Sequence, residues 1–510
     1  MELAIKEYIK RFFLFSQTEP MLFSGITFWI FLLILLLGFH FVYKKNQLRN
    51  IYLFAFSLFF YYKSGGFFFW LLIFSTVVDY LLGLGIGSAQ KKLARRAMLA
   101  ISVTVNLGVL SYFKYAYFFT ETINNWFGTH LKVSNLLAEW SNHLTGSTFD
   151  VTAIILPVGI SFYTFQTISY TIDVYRRHVT PVRNILNFGF YVSFFPQLVA
   201  GPIVRASEFI PQLYIRYYLT KDEVGHAIFL ILVGLLKKVA ISNYIASNFV
   251  DRVFDSPIAY SGFEVLMGIY GYALQIYCDF SGYTDIALGV ALLLGFRLPV
   301  NFNSPYKATS ITNFWHRWHI SLSRWLRDYL YIPLGGSKKG KIRTYINLMI
   351  TMLLGGLWHG ASLKFVAWGG IHGLGLAIER LFGIGKHQPS KRLSPVRRFV
   401  AIVITFHIVC LAWIPFRAAS FSDALTILSR IATAFSWNTI PEVLLGYKAV
   451  FITIAIGFAA HWFPSQNKEN FRGWFISTNP VIKLLAILLV VMLLAQVRTA
   501  GIQPFIYFQF

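Results

Sequence analysis

Apolar runs recur from Phe23 almost to the C-terminus, most of them near the length of about 20 residues that a helix needs to cross the hydrocarbon core of a bilayer. They fall at 21–42, 66–86, 97–119, 151–174, 224–246, 261–295, 362–383, 398–416, 446–463 and 482–499. Shorter or ambiguous runs at 51–62, 185–203 and 344–357 bring the expected total to roughly 11–13 transmembrane or re-entrant helices. No stretch between them is large enough for an ordinary soluble domain, so the pattern predicts an all-α, polytopic membrane protein.

Three segments depart from the pattern. Residues 2–15 place Lys6, Lys10 and Arg11 on one side of a short helix and Ile5, Ile9, Phe12 and Phe13 mostly on the other. This predicts an interfacial amphipathic helix within 1–20 rather than a cleaved signal. The stretch 300–345 is too polar to span lipid unaided and too aromatic to lie in water, because Lys307, Arg317, Arg324 and Arg327 alternate with Trp315, Trp318 and Trp325. An interfacial or re-entrant helix answers both demands; Asn313 or Thr312 would cap it near Phe314, and Pro333 with Gly335 and Gly336 would end it. On such a helix His316 and His319 are neighbours on one face. In PQLVAGPIVR, Pro196, Gly201 and Pro202 break any continuous helix, which suits a segment lining a cavity with Gln197 and Arg205.

Composition agrees with the membrane class: the 510 residues are 56% hydrophobic, 18% aromatic and only 13% charged. A net charge of +24 would point to nucleic acid in a soluble protein. Here the basic residues sit mainly in short loops, at Lys44, Lys45 and Arg49, in KKLARR at 91–96 and in YRRH at 175–178, while the loop 120–150 holds Lys132 as its one Lys or Arg. The alternation places those clusters in the cytoplasm and the N-terminus outside, with membrane lipid, not nucleic acid, as the partner. The basic loop 384–398 falls on the cytoplasmic side as well. Cys278 and Cys410 lie in separate apolar segments, which argues against a disulfide framework.

The chemistry concentrates around GGLWHGAS at 355–362, where His359 interrupts an apolar run. Two readings stay open for it: a hydrogen-bonded histidine between helices, or a general base working near neutral pH. His316 and His319 lack a nearby third ligand, which disfavours a metal. No phosphate loop, dinucleotide fingerprint or serine elbow is present. Asp279 and Asp285, with Gln275, lie in an apolar helix and are expected to pair with an arginine of the 314–328 helix. His372 and His407 either line the chamber or bond across helices, and the second reading is preferred.

Four blocks, FFPQLVAGPIVRASEFIPQL (194–213), IYCDFSGYTDIALG (276–289), NFNSPYKATSITNFWHRWHISLSRWLRDYLYIPLGG (301–336) and GGLWHGAS with WGGIHG (355–373), carry a resemblance to the membrane-bound O-acyltransferase family. The chain is similar above all to its bacterial branch, which includes alginate and peptidoglycan O-acetyltransferases and the D-alanyl transfer protein of teichoic acid modification. The resemblance spans about Leu156 to Arg380. It implies one polytopic domain, with a catalytic core over about 150–380 and C-terminal helices over about 398–510. The fold would be a ring of tilted helices around a central tunnel in the bacterial cytoplasmic (inner) membrane, entered by an acyl thioester from the cytosol and by the acceptor from outside. His359 takes the place of the family's near-invariant histidine and His319 that of its second one, while His316 replaces a common arginine.

From this resemblance follow the remaining expectations. His319, Asn313 and Trp358 are candidates to meet the developing oxyanion. Lys307, Arg317, Arg324 and Arg327 are candidates for the phosphates of coenzyme A or of a carrier's phosphopantetheine, with headgroup anchoring as the competing reading. Acetyl-CoA or an acyl carrier thioester is expected as substrate, with no bound cofactor. A periplasmic or extracellular acyltransferase, and an acyl carrier protein, are the expected partners. D-alanyl transfer is the alternative activity; a small-solute transporter with a histidine proton relay is the alternative class, and the lack of an internal repeat speaks against it.

Overall fold

The computed structural model describes residues 10–16, 19–146, 150–199, 201–384 and 394–497. Among them every regular element is a helix. Of the amphipathic N-terminal segment, 10–13 is helical and 1–9 lie outside the described residues; so do 385–393 of the basic loop.

Helices occupy nearly every predicted run, but they are not equivalent. Among the described residues six are long and apolar enough to cross a membrane: Asn46–Ser88, Lys92–Phe127, Lys221–Asp255, Gly262–Leu293, Pro395–Arg417 and Pro480–Val497. A seventh span is bent by 87° between Ile440–Gly446 and Lys448–Trp462. The remaining predicted runs are shorter or more polar, for a physical reason visible in Ile160–Tyr175. That helix buries Thr164, Gln166, Thr167, Ser169, Thr171 and Asp173 against its neighbours, so it need not match lipid on any face. The chain breaks in the 185–203 run at Phe194, ahead of Pro196, into Ile185–Ser193 and Phe195–Leu198, and the second helix ends before Gly201 and Pro202.

The centre is built on helix Gly262–Leu293. It crosses Lys221–Leu235 at a glycine pair, where a Cβ on Gly282 would sit 2.7 Å from the Gly234 carbonyl and one on Gly234 would sit 2.6 Å from the Gly282 carbonyl. Only backbone fits in that space. Two ion pairs tie the same helices together, Lys237 to Asp285 at 2.7 Å and Lys238 to Asp279. The expectation that an arginine of 314–328 would take these carboxylates is thus corrected. The widened turns over Leu236–Asn243 present two successive lysines to the facing helix before any arginine can reach it.

The 300–345 segment is not one helix either. It forms Ile311–Trp315 and Ile320–Leu326, followed by a widened turn at Arg327–Tyr331. Its first helix is capped by Ser310, which accepts from Asn313 N at 3.0 Å, rather than by Asn313 or Thr312. Glu379, from helix Leu363–Leu381, accepts from Thr312 N at 2.9 Å and from Ile311 N, placing a carboxylate at the positive helix end. The break falls at His319, which adopts the left-handed region with φ 43°. Asn301 secures it: its carbonyl accepts from Ile320 N at 3.0 Å and its side chain from Ser321 N at 3.0 Å. In consequence His319 is fully buried while His316 is exposed, so the two do not share a helix face.

Candidate active site

His359 is the last residue of helix Lys341–His359. That helix packs on Leu363–Leu381 at a point where a Cβ on Gly356 would collide with the Phe365 carbonyl and one on Gly369 with that of Met352. The helices therefore meet backbone to backbone, and the loop between them is only three residues long. Such a tight hairpin places His359 in the interior, 3% exposed, at the very point where the helix ends.

Aromatic rings enclose it. The imidazole of His359 lies 5.0 Å from the Trp358 ring, 4.9 Å from Trp368 and 5.6 Å from Phe416, centroid to centroid. His319 approaches the same Trp358 from elsewhere in the fold, at 6.2 Å, and packs edge-on to Phe280 at 4.7 Å. One indole is thus flanked by both histidines. His319 Nδ1 lies 3.3 Å from Asn301 Oδ1; with the proton of that bond on Nδ1, Nε2 carries the lone pair. Nε2 has no hydrogen-bond partner among the described residues, and neither do the indole N–H groups of Trp315, Trp358 and Trp368; the expected bond across helices is absent at both nitrogens of His372 and present at His407, whose Nε2 lies 2.9 Å from the Tyr270 hydroxyl. Buried polar atoms are normally satisfied, and of this set the Trp358 indole lines the cavity beside His359, where a polar occupant would meet it.

A cavity of about 120 Å³ reaches the site, lined by Lys114, Gly159, Ser161, Val199, Trp358 and His359 among others. It lies beside the start of helix Ile160–Tyr175. A larger cleft of about 250 Å³, between Tyr270, Phe406, Phe458 and their neighbours, is lined without a histidine and is separate from this site.

The remaining predicted residues scatter. Asn313 Oδ1 accepts from Arg317 Nε at 3.0 Å, and Arg317 also donates to the Asn303 carbonyl at 3.0 Å. Lys307 donates to the Phe463 carbonyl at 2.7 Å, and Arg324 is exposed. Arg327 and Arg205 share Asp328, each at 2.6 Å. Gln197 donates to the Tyr191 carbonyl at 2.7 Å. Trp358 is therefore the one predicted binding residue that the structure sets beside both histidines. Sequence reasoning passed over Lys114 and Ser161. The signal for the first was present, since a lysine inside the apolar run 97–119 is a functional candidate by default.

The family model described as MBOAT, membrane-bound O-acyltransferase family, matches residues 96–384. The chain is 35% identical to "Probable alginate O-acetylase AlgI" of Pseudomonas putida, over 96% of this chain and 100% of that protein. It is 36% identical to "Peptidoglycan O-acetyltransferase" of Helicobacter pylori, covering 76% and 74% of the two chains. With "Teichoic acid D-alanyltransferase" of Bacillus subtilis the identity is 31%, over 52% of this chain and 69% of that one.

Proposed function

The chain belongs to the membrane-bound O-acyltransferase family, and from that premise we propose that it takes an acetyl group from a cytoplasmic thioester and delivers it to a hydroxyl on the outer face, for O-acetylation of an exported polysaccharide. That it is a multi-pass membrane acyltransferase follows from the family and the spans. The finer reading draws on the coverage by O-acetylases named for alginate and peptidoglycan. A periplasmic or extracellular partner that completes transfer to the polymer, and residence in the bacterial inner membrane, belong to the same proposal. So does acetyl-CoA as donor, with a carrier-borne thioester as the second choice. Lys307 and Arg317, which share the 300–345 segment, are proposed for the donor's phosphates.

One observation carries the chemistry: a buried imidazole at a helix end, opening on a cavity and sharing an indole with a second imidazole. In the proposed step His359 removes the acceptor hydroxyl proton as that oxygen attacks the thioester carbonyl. The C–S bond then breaks and the leaving thiolate takes up a proton. General-base help of this kind is worth roughly 10²–10⁴-fold. The Trp358 indole N–H is the proposed donor to the charge that develops on the carbonyl oxygen, while His319, with its lone pair on Nε2, is the second candidate base.

The test is acetyl transfer or thioester hydrolysis by purified protein in nanodiscs with radiolabelled acetyl-CoA, wild type beside His359→Ala. A folded variant that loses a hundredfold or more supports the base role. Equal rates would move that role to His319. D-alanyl transfer, the activity named for the B. subtilis relative, takes over as the reading if the wild type ignores acetyl-CoA and accepts a carrier-borne D-alanyl thioester.

A further inference from the structure

A helix ends with carbonyls that have no partner inside it, at the negative pole of its dipole. The helix that ends on His359 has an unusual solution. Its next residue, Gly360, is extended at φ −160° and ψ 149°, so the chain leaves straight away instead of curling into a left-handed cap. The capping groups come instead from a point more than 240 residues earlier in the chain. Lys114 Nζ donates to the Trp358 carbonyl at 2.7 Å and the His359 carbonyl at 3.2 Å, and its neighbour Tyr115 donates through its hydroxyl to the Leu357 carbonyl at 2.9 Å. Three successive carbonyls, the last belonging to His359 itself, are held by two successive side chains.

The element that presents them is built for the purpose. Helix Lys92–Leu110 does not run straight into Ala116–Phe127 but widens over Ser111–Tyr115 into a π-helical turn. Such turns are uncommon and recur at functional sites, because the extra residue re-aims side chains. Here it brings adjacent residues to bear on one target. The Lys114 ammonium also lies over the Trp358 ring, 5.9 Å from its centroid, and 3.4 Å from Ser161 Oγ, in the wall of the cavity that holds His359.

We propose that Lys114 is a positioning residue for acyl transfer, which clamps the end of the His359 helix through the Trp358 and His359 carbonyls and so fixes the imidazole at the cavity, with Tyr115 steadying the turn before it. The inference rests on the reading of His359 as the base. The ammonium holds backbone, leaving the imidazole of His359 to handle the proton. Its effect is on the rate of the chemical step, where a misplacement of about 1 Å can remove some hundredfold, and not on donor binding.

The experiment uses the full chain in nanodiscs, with thiol release from acetyl-CoA as the readout, and compares wild type with Lys114→Met, Lys114→Arg and Tyr115→Phe. Expected are a fall in kcat of about ten- to a hundredfold for Lys114→Met with KM for acetyl-CoA within about twofold, and recovery of most of that loss by Lys114→Arg, which keeps a cation in reach of the carbonyls. Tyr115→Phe is expected to lose a few-fold in kcat. Wild-type kcat per folded molecule in Lys114→Met would overturn the inference, as would a raised KM with kcat unchanged, which marks a substrate contact. If Lys114→Met does not fold, Tyr115→Phe decides, and wild-type kcat there is the negative result. An inactive wild type instead rejects the acetyl-donor reading and this inference with it, whereas an active wild type with indifferent variants rejects the inference alone.

Discussion

Helices Gly262–Leu293 and Pro480–Val497 both pass as membrane spans, yet 83% of the residues in the most apolar stretch of the first are buried in the protein and only 6% of those in the second. The more apolar of the two is the outer one. In a bilayer, lipid tails are as apolar as leucine, so a helix against lipid is selected for uniform greasiness and a helix in the bundle is freed from it. The inner helix uses that freedom. It carries Gln275, Asp279, Ser281, Thr284 and Asp285 along with the glycines that let backbones touch, while the outer one exposes Leu484, Leu485, Leu488 and Leu489. Interior position here is read from small and polar residues, and the same reading leads to the candidate site.

Breaking the inner ion pair should have the largest effect on stability. Lys238→Met strands Asp279 in the interior and is expected to destabilise by about 3–5 kcal/mol, read as unfolding in mixed micelles titrated with SDS. Adding Asp279→Leu should return most of the loss, because a matched apolar pair needs no counter-charge. If the single variant were as stable as wild type, the pair would be ornamental and the contrast between the helices would fail.

Gly282→Val comes next, at about 3 kcal/mol, since the obstructing atom is the Gly234 carbonyl, backbone that cannot swing aside. Asn301→Ala removes the acceptor for Ser321 N at the break beside His319; a loss of about 1–3 kcal/mol is expected in the same titration, together with reduced acyl transfer. Leu489→Ala, 67% exposed on the outer helix, should change stability by no more than about 0.5 kcal/mol. A larger cost would place that face against a partner and not lipid.

Particular residues show how far the chain could be read before its structure was known. The spans were legible because roughly 20 apolar residues can do little else. His359 was legible because an isolated imidazole in such a run stands out. That no long helix runs through 196–205 followed from its prolines and glycine. The partner of Asp279 was not legible, because a lysine from Lys221–Asp255 and an arginine from 314–328 are equally good counter-ions until the packing selects one. Nor was the turn at His319, a residue with no particular claim on φ 43°, since Asn301 imposes it from outside the helix. Lys114 was visible as an oddity, but nothing near it in the chain pointed to the carbonyls of Trp358 and His359.

Hydropathy alone pointed to a multi-pass helical membrane protein, and the four sequence blocks carried the resemblance to the acyltransferase family that the family model bears out. Which face of each helix turns inward, which carboxylate meets which lysine, and how the end of the His359 helix is held were decided by the tertiary structure. The physical reason is that lipid and protein interior are almost equally apolar, so periodicity loses the inside-versus-outside signal it carries in water. The contacts that restore it join residues as far apart as Lys114 and His359, and they exist only once the helices have packed.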